Sequence, residues 1–175
     1  MESKWIYRNN SDNTARFLLG EPGKNTLACI GLNPSTAQPE LLDNTLKSVK
    51  RIAFSNGFDG WLMFNLYPQR ATNPNKLTKV AKRTLISKNC EIFRLTIHQF
   101  EIKTLWLAFG NLVESRTYLP KCLIEMYAAV HTSGLQWKKA QSLTHKGHPR
   151  HPLYIPSSSI LTDFDMAAYI KAIAV

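Results

Sequence analysis

Disulfide chemistry, membrane spans and the commoner hydrolase and nucleotide motifs are all missing from this chain. The three cysteines, Cys29, Cys90 and Cys122, are odd in number, far apart and without metal-type spacing. They exclude a disulfide framework and read as reduced, mostly buried thiols of a cytoplasmic protein. No apolar run approaches the roughly 20 residues needed to cross a bilayer, so no membrane partner is expected. Met1-Glu2-Ser3-Lys4-Trp5 lacks the apolar stretch of a signal peptide. There is no Gly-x-Ser-x-Gly elbow and no glycine-rich phosphate loop, which argues against serine hydrolases and P-loop enzymes. No His, Cys and Asp set has zinc spacing, so neither metal nor cofactor is expected, and a metal hydrolase or zinc deaminase is a poor fit.

Acidic residues are also scarce. From Met126 to Thr162 there is none, while Lys138, Lys139, Lys146 and Arg150 fall in that stretch together with His131, His145, His148 and His151. Between Arg70 and Lys103 basic residues far outnumber Glu91 and Glu101. The net charge of +10 and pI of about 9.7 favour anionic partners through long-range attraction, with nucleic acid, above all DNA, or a nucleotide leading the candidates. Hydrophobic residues at 44% and aromatics at 10% over 175 residues describe an ordinary globular chain, read as one domain over 1–175.

The most informative stretch is Thr26-Leu27-Ala28-Cys29-Ile30-Gly31-Leu32-Asn33-Pro34-Ser35-Thr36-Ala37. Its uninterrupted apolar run predicts a strand buried on both faces, the mark of a parallel sheet covered by helices. Pro34 cannot continue a ladder and pushes Asn33 out of helical angles, so the strand ends there. Before it, residues 5–19 read as an edge strand leading to the turn Glu21-Pro22-Gly23-Lys24. After it, Asp43 is a plausible cap for a helix over 44–56, with Gly57 just past its end. A second strand, Trp61 to Leu66, runs into the loop Tyr67 to Pro74. Helical sequence in two pieces covers about 75–100. A third strand spans Lys103 to Phe109 and ends at Gly110-Asn111. Helical pattern resumes through 112–130, interrupted near Pro120, and a shorter strand lies within 135–143. The loop His145 to Tyr154 follows, and a helix near 163–174 closes the chain. Strands alternating with helices predict a doubly wound, three-layer α/β/α domain with a short, mainly parallel sheet of four to five strands.

In such sheets ligands sit at the carboxyl ends of the strands. Asn33, Asn65 and Gly110-Asn111 are three such ends, and the histidine loop arrives as a fourth, supplying imidazoles and Arg150. Three motifs carry a resemblance: Leu32-Asn33-Pro34-Ser35-Thr36-Ala37; Asn65-Leu66-Tyr67 with Arg70-Ala71-Thr72-Asn73-Pro74; and Gly147-His148-Pro149-Arg150-His151-Pro152-Leu153-Tyr154. Together they look like the signature of domain of unknown function 1643, a bacterial and phage family. In order and placement they are more distantly similar to the uracil-DNA glycosylase superfamily. Gly31-Leu32-Asn33-Pro34-Ser35 resembles that superfamily's first motif, with asparagine where other members have a water-activating aspartate. Leu62-Met63-Phe64-Asn65 resembles the strand whose terminal Asn reads the base edge. His148-Pro149 or His151-Pro152, with Leu153, resembles the His-Pro-x-x-Leu motif, and either histidine can carry the match. No aromatic follows Pro34 directly, and no cysteine set for an iron–sulfur cluster is present.

The resemblance implies a glycosylase-like protein that hydrolyses the N-glycosidic bond of a damaged or modified nucleobase. Asn33 would hold the attacking water, and His148 or His151 would stabilise the departing base. Asn65 would pair with the base edge, with Pro34, Ser35, Gly110 and Asn111 also near the substrate. Arg70, Lys146 and Arg150 would meet phosphates, and Leu153 or Tyr154 would wedge into the duplex. An amide cannot act as a base at neutral pH, so Asp43, the nearest acid downstream of Asn33, is kept as an outside candidate for that role. Two other readings stand beside this one: a nucleic-acid or nucleotide binding protein without the chemistry, and an enzyme acting on a free nucleotide or other phosphorylated small molecule.

Overall fold

The computed structural model describes residues 4–174; Met1, Glu2 and Ser3, on which part of the signal-peptide reading falls, lie outside them. The chain forms an α/β domain in which a seven-stranded mixed sheet is covered by helices on both faces. Two apolar runs make its centre. Strands β3 (Thr26–Gly31) and β4 (Gly60–Asn65) are buried along their whole length and pair in parallel, Thr26 opposite Gly60 through Gly31 opposite Asn65. On its other side β3 pairs in parallel with β5 (Thr104–Leu107), which pairs in parallel with β6 (Gln136–Ala140).

Alternate residues of these strands feed two cores, as the period of two requires. Ala28, Ile30, Leu62, Phe64, Leu105 and Leu107 face α2 (Arg83–Gln99), α3 (Tyr118–Val130) and α4 (Met166–Ile173). Leu27, Cys29, Trp61, Met63 and Trp106 face α1 (Asn44–Ser55). Helix α1 begins as the sequence predicts, with Asp43 Oδ1 accepting from Leu46 N–H at 2.9 Å, and Gly57 follows it at φ +84°. Among the described residues no helix is long and apolar enough to cross a membrane.

The sheet departs from the four to five strands expected, because three further strands, flanking the parallel centre, add antiparallel pairings. The segment 5–19 is not one strand. It divides into β1 (Ile6–Asn9) and part of β2 (Arg16–Glu21), which pair with each other while β2 pairs with β4. The polar run between them turns because Asp12 Oδ1 accepts from Thr14 N–H and Asn13 adopts φ +57°, short-range chemistry that Asx residues favour. At the far edge β7 (Leu161–Asp163), only three residues long and largely exposed, pairs with β6. Pro120 does not interrupt a helix. It occupies the first turn of α3, where no intrahelical donor is needed, and the break falls before it, between a 3-10 turn at Asn111–Ser115 and Tyr118.

The strand order β1-β2-β4-β3-β5-β6-β7 places the site. From β3 the chain crosses through α1 to β4 on one side, then through α2 to β5 on the other. The order therefore reverses between β3 and β5, and loops leaving their carboxyl ends diverge to open a crevice.

Candidate functional site

That crevice is a cleft with two connected parts. The inner compartment, about 110 Å³, is walled by Leu46, Met63, Phe109 and Leu112 and by the polar side chains of Arg16, Asn33, Asp43, Asn65 and His151. The outer one, about 830 Å³, shares Asp43 and His151 and adds Gly110, Asn111, Thr144, His145, Arg150, Leu153 and Tyr154. A cavity of ~150 Å³ holds benzene, so the inner part approaches the size of a single small ring.

The two asparagines come from neighbouring strand ends. Pairing of β3 with β4 continues past the strands, Leu66 N–H donating to Gly31 O and Tyr67 N–H to Leu32 O. Asn33 Nδ2 donates to Ala71 O at 2.9 Å and Pro34 O at 3.0 Å. Those two bonds fix the side chain and leave Oδ1 as the atom able to accept from a ligand or water. Asn65 is 1% exposed, and its Nδ2 has no hydrogen-bond partner. Its main chain is held from behind by Asn89, a buried residue of α2 whose Nδ2 donates to Asn65 O at 2.8 Å. Gly31 leaves the room Asn65 needs: a Cβ there would lie 2.9 Å from Asn65 Oδ1.

Residue 110 ties the histidine loop to β5. Gly110 N–H donates to Pro149 O at 2.9 Å, and Gly110 has φ +68° and ψ −168°, a region essentially restricted to glycine. Asn111 Oδ1 accepts from Thr144 Oγ1. The loop's two candidate histidines part company here. His151 lines both compartments, and its Nδ1 accepts from Leu153 N–H at 3.3 Å. With Nδ1 bare, the neutral ring carries its proton on Nε2. Burial lowers its pKa from the ordinary value, with the charge of Asp43 opposing. His148 instead turns toward the C-terminal helix, its Nδ1 2.7 Å from Tyr169 Oη and its Nε2 2.8 Å from Glu114 Oε1. Both ring nitrogens are engaged, and His148 lies outside the cleft. Lys146 goes with it, paired with Glu114.

The other basic candidates hold loops together. Arg70 donates to Ser35 O, Ala37 O, Tyr7 Oη and Asn13 Oδ1, clamping the turn after Asn33 to the edge hairpin. Arg150 borders the outer compartment while donating to Ser142 O at 2.8 Å and Leu143 O at 3.3 Å. Leu153 and Tyr154 stand at the mouth, 48% and 78% exposed. Ser35 lines the cleft, whereas Pro34 contributes its carbonyl to Asn33 and Ala71 N–H.

Asp43, the outside candidate, lies at the centre. Its Oδ1 caps α1, and it is the one carboxylate lining either compartment among the described residues. Sequence reasoning missed Arg16 and Asn89. Arg16 is 1% exposed, donates through Nη1 to Ala37 O at 3.1 Å, and has no partner for Nε. Burial lowers its pKa to about 10, Arg70 acting in the same direction and Asp43 against it. The β1–β2 ladder slips where Asn9 meets Arg16, Phe17 being the extra residue, and bulges of this kind re-aim side chains. A charged residue leading an apolar strand, and an Asn on the buried face of an amphipathic helix, were the available signals. Cys29 and Cys122 lie outside the cleft and burial raises both thiols, so neither is poised as a nucleophile. Among the described residues no three His, Cys, Asp or Glu side chains are grouped as metal ligands.

A family model described as "Protein of unknown function (DUF1643)" matches residues 16–153, a span that holds every inner-compartment residue named above. No curated protein matches the chain.

Proposed function

The chain belongs to the DUF1643 family, a name that carries no reaction, and from that premise we propose that it is a glycosylase of the uracil-DNA glycosylase-like fold, hydrolysing the N-glycosidic bond of a damaged or modified nucleobase in DNA. One observation carries the reading: Asn33, Asp43, Asn65 and His151, from four separate segments, line a single compartment that approaches the size of one small ring and opens to a wide mouth.

In this reaction the base leaves the stack and enters the inner compartment, its edge against Asn65 and its faces against apolar walls. Water adds to the sugar C1′ as the C1′–N bond breaks, and the electron pair departs with the base. Asn33 Oδ1 accepts one water proton as a hydrogen bond and orients the oxygen. The second oxygen of Asp43 takes the other proton as general base, while its first stays on the helix cap. Negative charge developing on the base meets His151 Nε2–H. Because its ring is neutral, His151 donates without having to lose a charge, and the bond is strongest at the transition state. At the mouth, Arg150 and the exposed Leu153 and Tyr154 suit a phosphate backbone and an opened base step. The net charge of +10 suits the approach of DNA.

The test is incubation with single-stranded and duplex oligonucleotides bearing uracil, hypoxanthine or a hypermodified pyrimidine, followed by hot alkali. Strand scission at the modified position, lost in His151→Ala, is the expected result. Salt-sensitive DNA binding with no scission across the panel would replace the enzyme with a binding protein. Absence of DNA affinity at low salt would point to a free nucleotide instead.

A further inference from the structure

Arg16 stands apart from every other cation of the molecule. It is sealed into the inner compartment, makes one side-chain hydrogen bond through Nη1 to a main-chain carbonyl, and forms no ion pair among the described residues. Asp43, on the same compartment, acts on the guanidinium only through space, and burying a guanidinium with no counter-ion in contact is more costly than burying any neutral side chain. Its Nε–H has no acceptor, and neither has Asn65 Nδ2 in the same small space. Two shielded donors without acceptors in one compartment describe what is missing: a ligand that brings acceptor atoms to both.

The remaining walls decide what kind of ligand. Leu46, Met63, Phe109 and Leu112 are apolar, and Asp43 adds a negative charge. A free phosphate would set its charge against that carboxylate and its oxygens against hydrocarbon. A flat ring with two acceptors on its buried edge, at least one of them a carbonyl oxygen, satisfies both donors and keeps its faces dry. Resting on the nucleobase reading above, we infer that Arg16 is a specificity-determining residue, and that the base admitted is an oxo base whose buried edge offers two acceptors, a carbonyl oxygen among them (O2 and O4 of uracil, O6 and N7 of hypoxanthine), to Arg16 Nε–H and Asn65 Nδ2–H.

Amino bases are rejected by the same geometry. Cytosine or adenine places an NH₂ group where a protein donor already points, leaving both unpaired and buried. The guanidinium also serves the chemistry. When the C1′–N bond breaks, the electron pair spreads into the ring and onto its carbonyl oxygen, and a charged donor binds an oxyanion better than a neutral carbonyl.

The experiment titrates the intact protein with free uracil, hypoxanthine, cytosine and adenine by calorimetry, and follows the Arg16 Nε–Hε and Asn65 side-chain signals of ¹⁵N-labelled protein. Uracil and hypoxanthine are expected to bind about tenfold tighter or more than the amino bases, and the Arg16 Hε signal is expected to shift as they saturate the cleft. In Arg16→Met the preference should shrink to about twofold or less. The Hε shift in unaltered protein decides the matter even if Arg16→Met does not fold. Binding that ignores the edge of the base, or an Hε signal that stays still while a base occupies the cleft, would overturn the assignment and leave the nucleobase reading intact. Failure of all four bases to bind would refute that reading and this assignment with it.

Discussion

The Asp43 carboxylate caps α1 and lines the cleft, and substitution can separate the cap from the proposed general base. Its Oδ1 accepts from Leu46 N–H at 2.9 Å and caps α1, while the group also borders both compartments of the cleft. Asp43→Ala removes both. Loss of an N-cap costs about 1 kcal/mol, which lowers the Tm of a chain of this length by about 2–4 °C. Asp43→Asn keeps an oxygen for Leu46 and caps as well as aspartate, so most of that loss should be spared. What it removes is the charge. Without a base, excision should fall by about 10²–10⁴-fold. The imidazole of His151, held up by Asp43 against the effect of burial, should also titrate at a lower pH than in the wild type. The assays are thermal melts of both variants, single-turnover scission of the modified duplex that reacts, and an NMR titration of His151. Wild-type scission by Asp43→Asn would refute the general-base role and leave Asp43 a helix cap. An unmoved His151 titration would refute the electrostatic link between the two side chains.

Two further outcomes follow from the rim of the cleft. Gly110→Ala forces a side chain into φ +68°, ψ −168° and sets its Cβ 3.3 Å from His151 Cβ. The strain costs about 2 kcal/mol and lowers Tm by about 4–8 °C. Gly134→Ala, also at positive φ but with nothing within 4 Å, should lose less, and equal losses would sink the claim of a contact with His151. His151 itself should show a midpoint below 6.5, the ordinary value from which burial lowers it. Between its folded midpoint and 6.5 the unfolded chain binds more protons than the folded one, so stability rises with pH across that window and its contribution is complete above it. A midpoint at or above 6.5 in an NMR titration would show that burial does not govern the ring.

The centre of the fold was legible because its signals are local. Thr26 to Gly31 and Gly60 to Asn65 are continuous apolar runs, and Asp43 followed by a periodic face is a helix start. The edges were not legible, because short half-exposed strands such as β1 and β7 carry almost no periodicity and are held by their partners. The site divides in the same way. Asn33 and Asn65 were marked by standing where apolar strands stop. The two His-Pro steps, however, are alike in sequence, and what separates His148 from His151 is contact with Glu114 and Tyr169, 34 and 21 residues away. Lys146, paired with Glu114, stands with His148 outside the cleft for that reason. Arg16 escaped notice because a charged residue at the start of an edge strand reads as exposed, and only the bulge at Phe17 and the crossing of the 33–37 turn bury it.

Where the molecule gives up stability is itself informative. Among the described residues four buried side-chain atoms lack partners: Arg16 Nε, Asn65 Nδ2, Trp106 Nε1 and Ser115 Oγ. Two of these belong to the inner compartment, and the glycine at φ +68° lies at its mouth. At the opposite end of the sheet the turns are saturated, with Asp59 accepting from the N–H groups of Lys24 and Asn25 and Thr26 bonded to Gly23. Two unpaired donors in one small compartment are costs that folding alone does not require. They are accounted for if a ligand completes the hydrogen bonding, because donors held in place without acceptors need no rearrangement to receive one.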